Sequence, residues 1–324
     1  MQIPTIDMSP LFGTGAGRAE TAAAIGDAAS RFGFFKLKGH GIPLDLFDRI
    51  ERESAAFFAL PAETKARIAM AHGGPAWRGW FPLEGELTSG LPDRKEGLYL
   101  GEELGPDDPR VAAGWPMHGP NLWPQEAPGL RPAVEAWLSA ATRAAHALCE
   151  GAAIALGLPE QHFHDHYTAR PTLLFRIFRY PPDQPGSWGV GEHSDYGFLT
   201  LLAQSRHGGL EVRTDDGWID VPPEEGTLVV NVGDMLDRLT AGRWRSAPHR
   251  VRNPASEDRY SWPLFFDPAF DARIEPLPGF DPPDIRPARW DGLDLAGIEG
   301  PYGDYLLGKV GKVFPDLAGA VRFS

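Results

Sequence analysis

The chain has 324 residues, 42% hydrophobic and 23% charged, which is globular composition and excludes wholesale disorder. Lys and Arg number 31 against 44 Asp and Glu, a formal charge of −13, so no general attraction to phosphate backbones exists and nucleic acid is not an expected partner. No apolar run approaches the roughly 20 residues that span a bilayer, and the opening MQIPTIDMSPLFG lacks the pattern of a signal peptide. Its one cysteine, Cys149, rules out a disulfide framework, a cysteine-rich zinc module and an iron–sulfur site; a soluble cytoplasmic protein is the expectation.

In chain order, residues 18–32 are Ala-rich and predict a helix ending at Gly33. FFKLKG (34–39) predicts a strand closed by His40-Gly41. Pro43 opens a second helix through Phe58, with Leu46, Ile50 and Phe57 at apolar positions. Residues 70–94, rich in Gly, Pro and Trp, read as a long ordered loop. Residues 102–129 hold six prolines and read as a second irregular connection. A helix is expected over 130–156, with Val134, Leu138 and Leu148 near one face. From Pro171 the texture changes to short β-rich runs: TLLFRIFRY, FLTLLAQ, LEVRT, WIDV, TLVVNV, HRVRN and YSWPLFF. Many short strands without long intervening helices predict a sandwich or barrel. YGDYLLGKVGKVF reads as a C-terminal helix.

Three local patterns carry chemistry. GEHSDYG places His193 and Asp195 two apart, on one face if the segment is an extended strand, where both can reach one metal ion. TLVVNVGDMLDRLTAGRWRSAPHRV runs through Gly233, suited to a tight turn, and Asp234, suited to cap a short helix, and reaches His249. Ten positions on, Arg259 and Ser261 share a strand face inside an apolar run, where an arginine is costly to bury without an anion. Each pattern alone has a purely structural reading: a hydrogen-bonded histidine, or an arginine paired with a protein carboxylate. Together, two histidines and a carboxylate make the facial triad of non-haem Fe(II) oxygenases, with positions left open for oxygen and a co-substrate. A 2-oxoglutarate chelating iron at one end needs a cationic fork at the other, which arginine supplies.

The sequence resembles the isopenicillin N synthase-like family of Fe(II)- and 2-oxoglutarate-dependent oxygenases over nearly its whole length. RFGFFKLKGHGIP, Tyr180-Pro181-Pro182, GEHSDYGFLTLLAQ, NVGDMLDRLTAGRWRSAPHRV, RYS and YGDYLLGKVGKVFP match in order and spacing. The resemblance implies a mainly β fold with flanking helices around a double-stranded β-helix (jelly roll) core. It implies an N-terminal region at 1–129, bracing helices at 130–170, the catalytic core at 171–275 and a C-terminal helical segment at 276–324. It further implies His193, Asp195 and His249 as Fe(II) ligands, Arg259 and Ser261 as anchors of the far carboxylate of 2-oxoglutarate, and Tyr180 as a neighbouring phenol. Phe178 stands where some plant members carry asparagine, and AGWPMHGPNLWP is nearer to bacterial and fungal members.

The implied activity is O2-dependent oxidation of a C–H bond of a small organic molecule (hydroxylation, desaturation or cyclisation), releasing succinate and carbon dioxide. Two alternatives stand beside it: a 2-oxoglutarate-independent non-haem iron oxidase, and a non-catalytic small-molecule binder on the same fold. By analogy the substrate is expected against Phe198, Leu264 or Phe265, and the Trp77-Arg78-Gly79-Trp80 segment, with Arg78 and Arg176 as candidate partners of an acidic group. His162, His164 and His166 sit close in sequence, and His162 and His166 at i, i+4 suit zinc, but a structural or surface role is expected. GTGAG (13–17) does not match a dinucleotide fingerprint, His40 and His118 read as turn residues, and no G-x-S-x-G element is present.

Overall fold

A computed structural model describes residues 2–314 except 89, 185–186 and 281–288; parts of the expected C-terminal segment therefore lie outside the described residues. The N-terminal part contains β1 (Thr5–Asp7), α1 (Gly17–Arg31), β2 (Phe34–Lys38), α2 (Leu44–Phe58) and the single turn α3 (Ala62–Lys65). After it come β3 (Gly79–Phe81), β4 (Glu96–Gly101), the single turn α4 (Pro109–Ala112) and the long α5 (Leu130–Ala155). The β-rich part comprises β5 (Thr172–Tyr180), β6 (Val190–His193), β7 (Leu199–Gln204), β8 (Leu210–Thr214), β9 (Gly217–Asp220) and β10 (Leu228–Val232). The short α6 (Asp234–Leu239), β11 (His249–Val251), β12 (Arg259–Asp267) and α7 (Tyr302–Val313) complete the described chain.

The strands form an eight-stranded sheet, β1-β2-β10-β7-β12-β5-β4-β3, and a four-stranded sheet, β6-β11-β8-β9. All pairings are antiparallel except β1 with β2. The two sheets face each other across one cavity, to which both contribute side chains, and together they make the jelly-roll core. Strand alternation sorts residues cleanly. On β12, Arg259, Ser261, Pro263, Phe265 and Asp267 line the cavity. The residues between them turn to the helical layer, where Trp262 Nε1 donates to Ser54 Oγ of α2 at 2.9 Å and Phe266 meets the His146 ring of α5. Leu264 is thus on the outer face and Phe265 on the inner one.

α5 packs on β7 and β12, and α1 and α2 pack on α5. Its buried face explains its length: Val134, Trp137, Ala141, Ala144, Leu148 and Ala152 recur at helical spacing. Gly33 ends α1 in the left-handed region (φ +66°), its N–H bonded to Ala29 O. Among the described residues no helix is long and apolar enough to cross a membrane.

Four strands, β1, β3, β4 and β6, escape the sequence pattern. β3 lies within the expected loop 70–94. β4 carries Glu96 and two glycines yet is wholly buried. Lys65 and Arg179 neutralise Glu96 at 2.8 and 2.7 Å, and Gly97 leaves room for the Phe81 and Phe178 rings. β6 is four residues with one apolar side chain, and it exists because β11 pairs with it.

Gly33→Ala is expected to destabilise the fold by at least ~1–2 kcal/mol. A Cβ there would run into Arg245 O, on the segment leading into β11. Urea unfolding of the two proteins measures the difference; equal midpoints would refute the expectation.

Candidate active site

Cross-strand pairing sets His249 directly opposite His193, with ring centroids 4.1 Å apart. His193 is the last residue of β6, so Asp195 is not on its strand, contrary to the simple alternation expected for H-x-D. The chain has already turned, and Asp195 O accepts Asp234 N–H at 2.8 Å. The turn brings Asp195 Oδ1 to 3.8 Å from His193 Nε2 and 3.7 Å from His249 Nε2. The expectation at the entry to α6 also changes. Gly233, not Asp234, is the N-cap of α6, and its φ of −95° is ordinary. Glycine is needed there because a Cβ would collide with Gly197 O, where the two loops behind the site touch.

Each ligand-type side chain is oriented by its other polar atom. His193 Nδ1 bonds Gly191 O at 2.9 Å and His249 Nδ1 bonds Ala247 O at 3.3 Å, which leaves both Nε2 atoms turned inward. Asp195 Oδ2 accepts Thr200 Oγ1 at 2.5 Å and Asn231 Nδ2 at 2.7 Å, and Thr200 and Asn231 are themselves a cross-strand pair of β7 and β10. Burial, and next the His249 imidazole, hold His193 below the usual histidine range. Burial pushes the Asp195 carboxyl up, but the imidazoles of His249 and His193 and its two hydrogen bonds outweigh that and hold it low. His193 is thus held neutral and Asp195 held as a carboxylate, the ionisation a divalent metal requires of such ligands. Among the described residues no other trio of His, Cys, Asp or Glu converges on one point.

Arg259 is fully buried in the same cavity. Nη2 donates to Gln204 Oε1 at 2.8 Å, while Nε and Nη1 have no partner, and no carboxylate pairs with it among the described residues. The protein-carboxylate alternative is thus not realised. Tyr180 lies opposite Arg259 in the β5–β12 register, its ring 4.9 Å from the guanidinium, and its hydroxyl is 3.2 Å from Ser261 Oγ. Two unpaired donors on a buried cation beside two hydroxyls form a cradle for a carboxylate.

Of the expected substrate contacts, Phe265 and Arg176 line the cavity, whereas Phe198, Leu264, Trp77, Arg78 and Trp80 do not. Arg78 is buried elsewhere, donating to Leu100 O and Met117 O at 3.1 and 2.9 Å. Trp80 Nε1 bonds Glu96 at 3.0 Å, Phe198 packs on Phe163 and Tyr167, and Trp77 is buried at the left-handed turn after Ala76. Alternation along β5 adds Leu174 and Phe178 to Arg176 and Tyr180 on the cavity wall. Reading every second residue back from Tyr180 would have found them. His162 and His166 approach to 4.6 Å between ring centroids in the turn before β5, outside the cavity. Cys149 is buried on α5, its thiol pushed up to about 12 by burial, which is unsuited to nucleophilic chemistry.

A profile described as the non-haem dioxygenase in morphine synthesis N-terminal matches residues 3–126, and one described as the 2OG-Fe(II) oxygenase superfamily matches residues 171–268. A probable iron/ascorbate oxidoreductase of Dictyostelium discoideum is 45% identical over 90% of this chain and 88% of its own. A 1-aminocyclopropane-1-carboxylate oxidase of the same organism is 30% identical over 97% and 96%. A full-length Neurospora crassa protein, crystallised in complex with alpha-KG, superposes with a TM-score of 0.77 at 29% identity, covering 95% of this chain and 96% of that one.

Asp267, on the cavity wall, accepts the Tyr302 hydroxyl at 2.5 Å, and burial pushes its carboxyl up to about 7. A carboxyl protonated more readily in the folded than in the unfolded state contributes stability that is full below about pH 4 and lost as pH rises to about 7. Asp267→Asn, which keeps an acceptor for Tyr302, is expected to flatten that decline. Melting curves at about pH 5 and pH 8 should differ less for the variant than for wild type; an equal difference would refute it.

Proposed function

The chain belongs to the 2OG-Fe(II) oxygenase superfamily and is a non-haem iron, 2-oxoglutarate-dependent dioxygenase; from that premise we propose the roles of its residues. His193, Asp195 and His249 hold the iron through Nε2, Oδ1 and Nε2. Gly191, Ala247, Thr200 and Asn231 fix those atoms in place. Arg259 takes the far carboxylate of 2-oxoglutarate, with Ser261 and Tyr180 beside it. The observation that carries this reading is the buried Arg259 guanidinium with two unpaired donors, in the same cavity as the three ligand atoms.

When bound, iron and 2-oxoglutarate supply oxidation of a small-molecule C–H bond with O2, yielding succinate and carbon dioxide. The protein's part is geometric. The Thr200–Asn231 pair keeps Asp195 Oδ1 free, the backbone carbonyls keep both imidazoles in one tautomer, and the apolar walls Phe34, Val190, Leu202, Leu210 and Val251 exclude water around the co-substrate. The acidic balance and the single buried cysteine support a cytoplasmic enzyme without a nucleic-acid partner.

His249→Ala should lose iron on metal analysis while keeping the fold, checked by circular dichroism, since its ring packs against Phe34 and the His193 ring alone among the described aromatic side chains. Full iron occupancy in that variant would overturn the ligand assignment. Arg259→Lys retains charge but loses the fork, so 2-oxoglutarate affinity should fall about ten- to hundredfold with iron content unchanged. An unchanged affinity, or turnover that continues without 2-oxoglutarate, would favour the oxidase reading that the aminocyclopropane carboxylate oxidase relative supports.

A further inference from the structure

The cavity carries a second set of charged side chains that the iron and 2-oxoglutarate assignments leave unused. Lys95 is buried between Glu86 Oε2 at 2.9 Å and Asp93 Oδ2 at 2.7 Å. Glu86 also receives the Tyr99 hydroxyl, and Asp93 that of Thr88. These groups satisfy one another. Arg176, about nine-tenths buried, is left over. Its Nη1 comes no nearer to Glu86 than 3.8 Å, and its Nε has no partner among the described residues. The two strands beside β5 cover its faces: the Tyr99 ring of β4 centres 4.0 Å from the guanidinium and the Phe265 ring of β12 4.7 Å. A guanidinium covered in this way keeps only its in-plane N–H donors for a ligand. Arg176 stands four residues from Tyr180 on the same strand face, about 13 Å along β5, so it marks the end of the cavity away from the 2-oxoglutarate anchor.

Charge decides what it takes. Glu86 and Asp93 cancel Lys95 and Arg176, and the wall carboxyl of Asp267, neutral or negative, leaves no positive charge over. On the reading proposed above, Fe(II) and Arg259 likewise cancel Asp195 and the two carboxylates of 2-oxoglutarate. A substrate carboxylate would add an uncompensated negative charge to a buried space, which is costly, whereas a carbonyl oxygen satisfies Arg176 at no such cost. Phe178, Tyr196, Phe265 and Leu306 supply flat apolar walls around it. We propose that Arg176 is the specificity-determining residue of this enzyme, donating to a carbonyl oxygen of an uncharged, planar substrate. This rests on the iron and 2-oxoglutarate reading of the same cavity.

The test titrates three probes of similar size, 2-pyridone, benzoate and toluene, into the protein loaded with Fe(II) and 2-oxoglutarate in the absence of oxygen, by calorimetry. 2-Pyridone is expected to bind at least about tenfold more tightly than either of the others. Arg176→Met, which has no donor, should abolish that preference, Arg176→Lys should reduce it, and 2-oxoglutarate affinity should stay within about twofold of wild type in both. Tighter binding of benzoate overturns the uncharged class. Equal binding of 2-pyridone and toluene by wild type, or no binding of 2-pyridone at millimolar concentration, overturns the donor role without recourse to any variant. An unchanged 2-pyridone preference in Arg176→Met overturns the donor role, and a lowered melting temperature in that variant then marks Arg176 as a structural counterion of Glu86. A wild-type protein that does not bind 2-oxoglutarate overturns the premise, and this inference with it.

Discussion

The site depends on one pairing: β11 against β6, which sets His249 opposite His193. Two strands of three and four residues have little stability of their own, and the pairing holds because β11 is also tied to β8 on its other edge. From it follow the approach of the two rings, the direction of both Nε2 atoms and the position from which Asp195 must complete the trio. Asp195 does not come from the same strand, since β6 ends at His193. The chain turns instead, and the turn is secured where Gly197 and Gly233 touch backbone to backbone.

The large sheet does the complementary work. Thr200 and Asn231, paired across β7 and β10, occupy one carboxylate oxygen of Asp195 and leave the other for a metal. The same sheet carries Arg259 on β12 and Arg176 on β5 at opposite ends of the cavity. Burying two guanidiniums in one cavity is tolerable only when each has an anion or acceptor to meet. Arg176 has the Glu86 charge nearby; Arg259 has no carboxylate among the described residues. On the roles proposed for them, that asymmetry would separate a cation kept for a dianionic co-substrate from one balanced for an uncharged ligand.

Long elements were legible in the sequence because their local signals agree with their tertiary surroundings. α5 has a continuous apolar stripe, α2 has Pro43 before it, β5, β10 and β12 are rich in β-branched or aromatic residues, and β7 is a leucine-rich run. β3, β4 and β6 were not legible, because their stabilisation is non-local. Glu96 on β4 reads as a surface residue until Lys65 and Arg179 are placed beside it. The substrate-side residues were misplaced for a related reason. Trp77, Arg78 and Trp80 look like a binding segment in one dimension, yet the polar groups of Arg78 and Trp80 are consumed by backbone carbonyls and by Glu96.

The sequence by itself determined the residue types and their order: two histidines and an aspartate, an arginine and serine two apart in an apolar strand, and a β-rich part bracketed by helices. Metal and carboxylate chemistry depends on residue type, and strand alternation fixes which neighbours share a face, so these are readable without coordinates. Tertiary structure alone decided which oxygen of Asp195 is free, that Arg259 has no carboxylate partner among the described residues, and that Arg176 rather than Arg78 faces the cavity. Each of these is a question of which donor meets which acceptor across strands far apart in the chain. Such meetings depend on sheet register and loop contacts, which residue types do not encode locally.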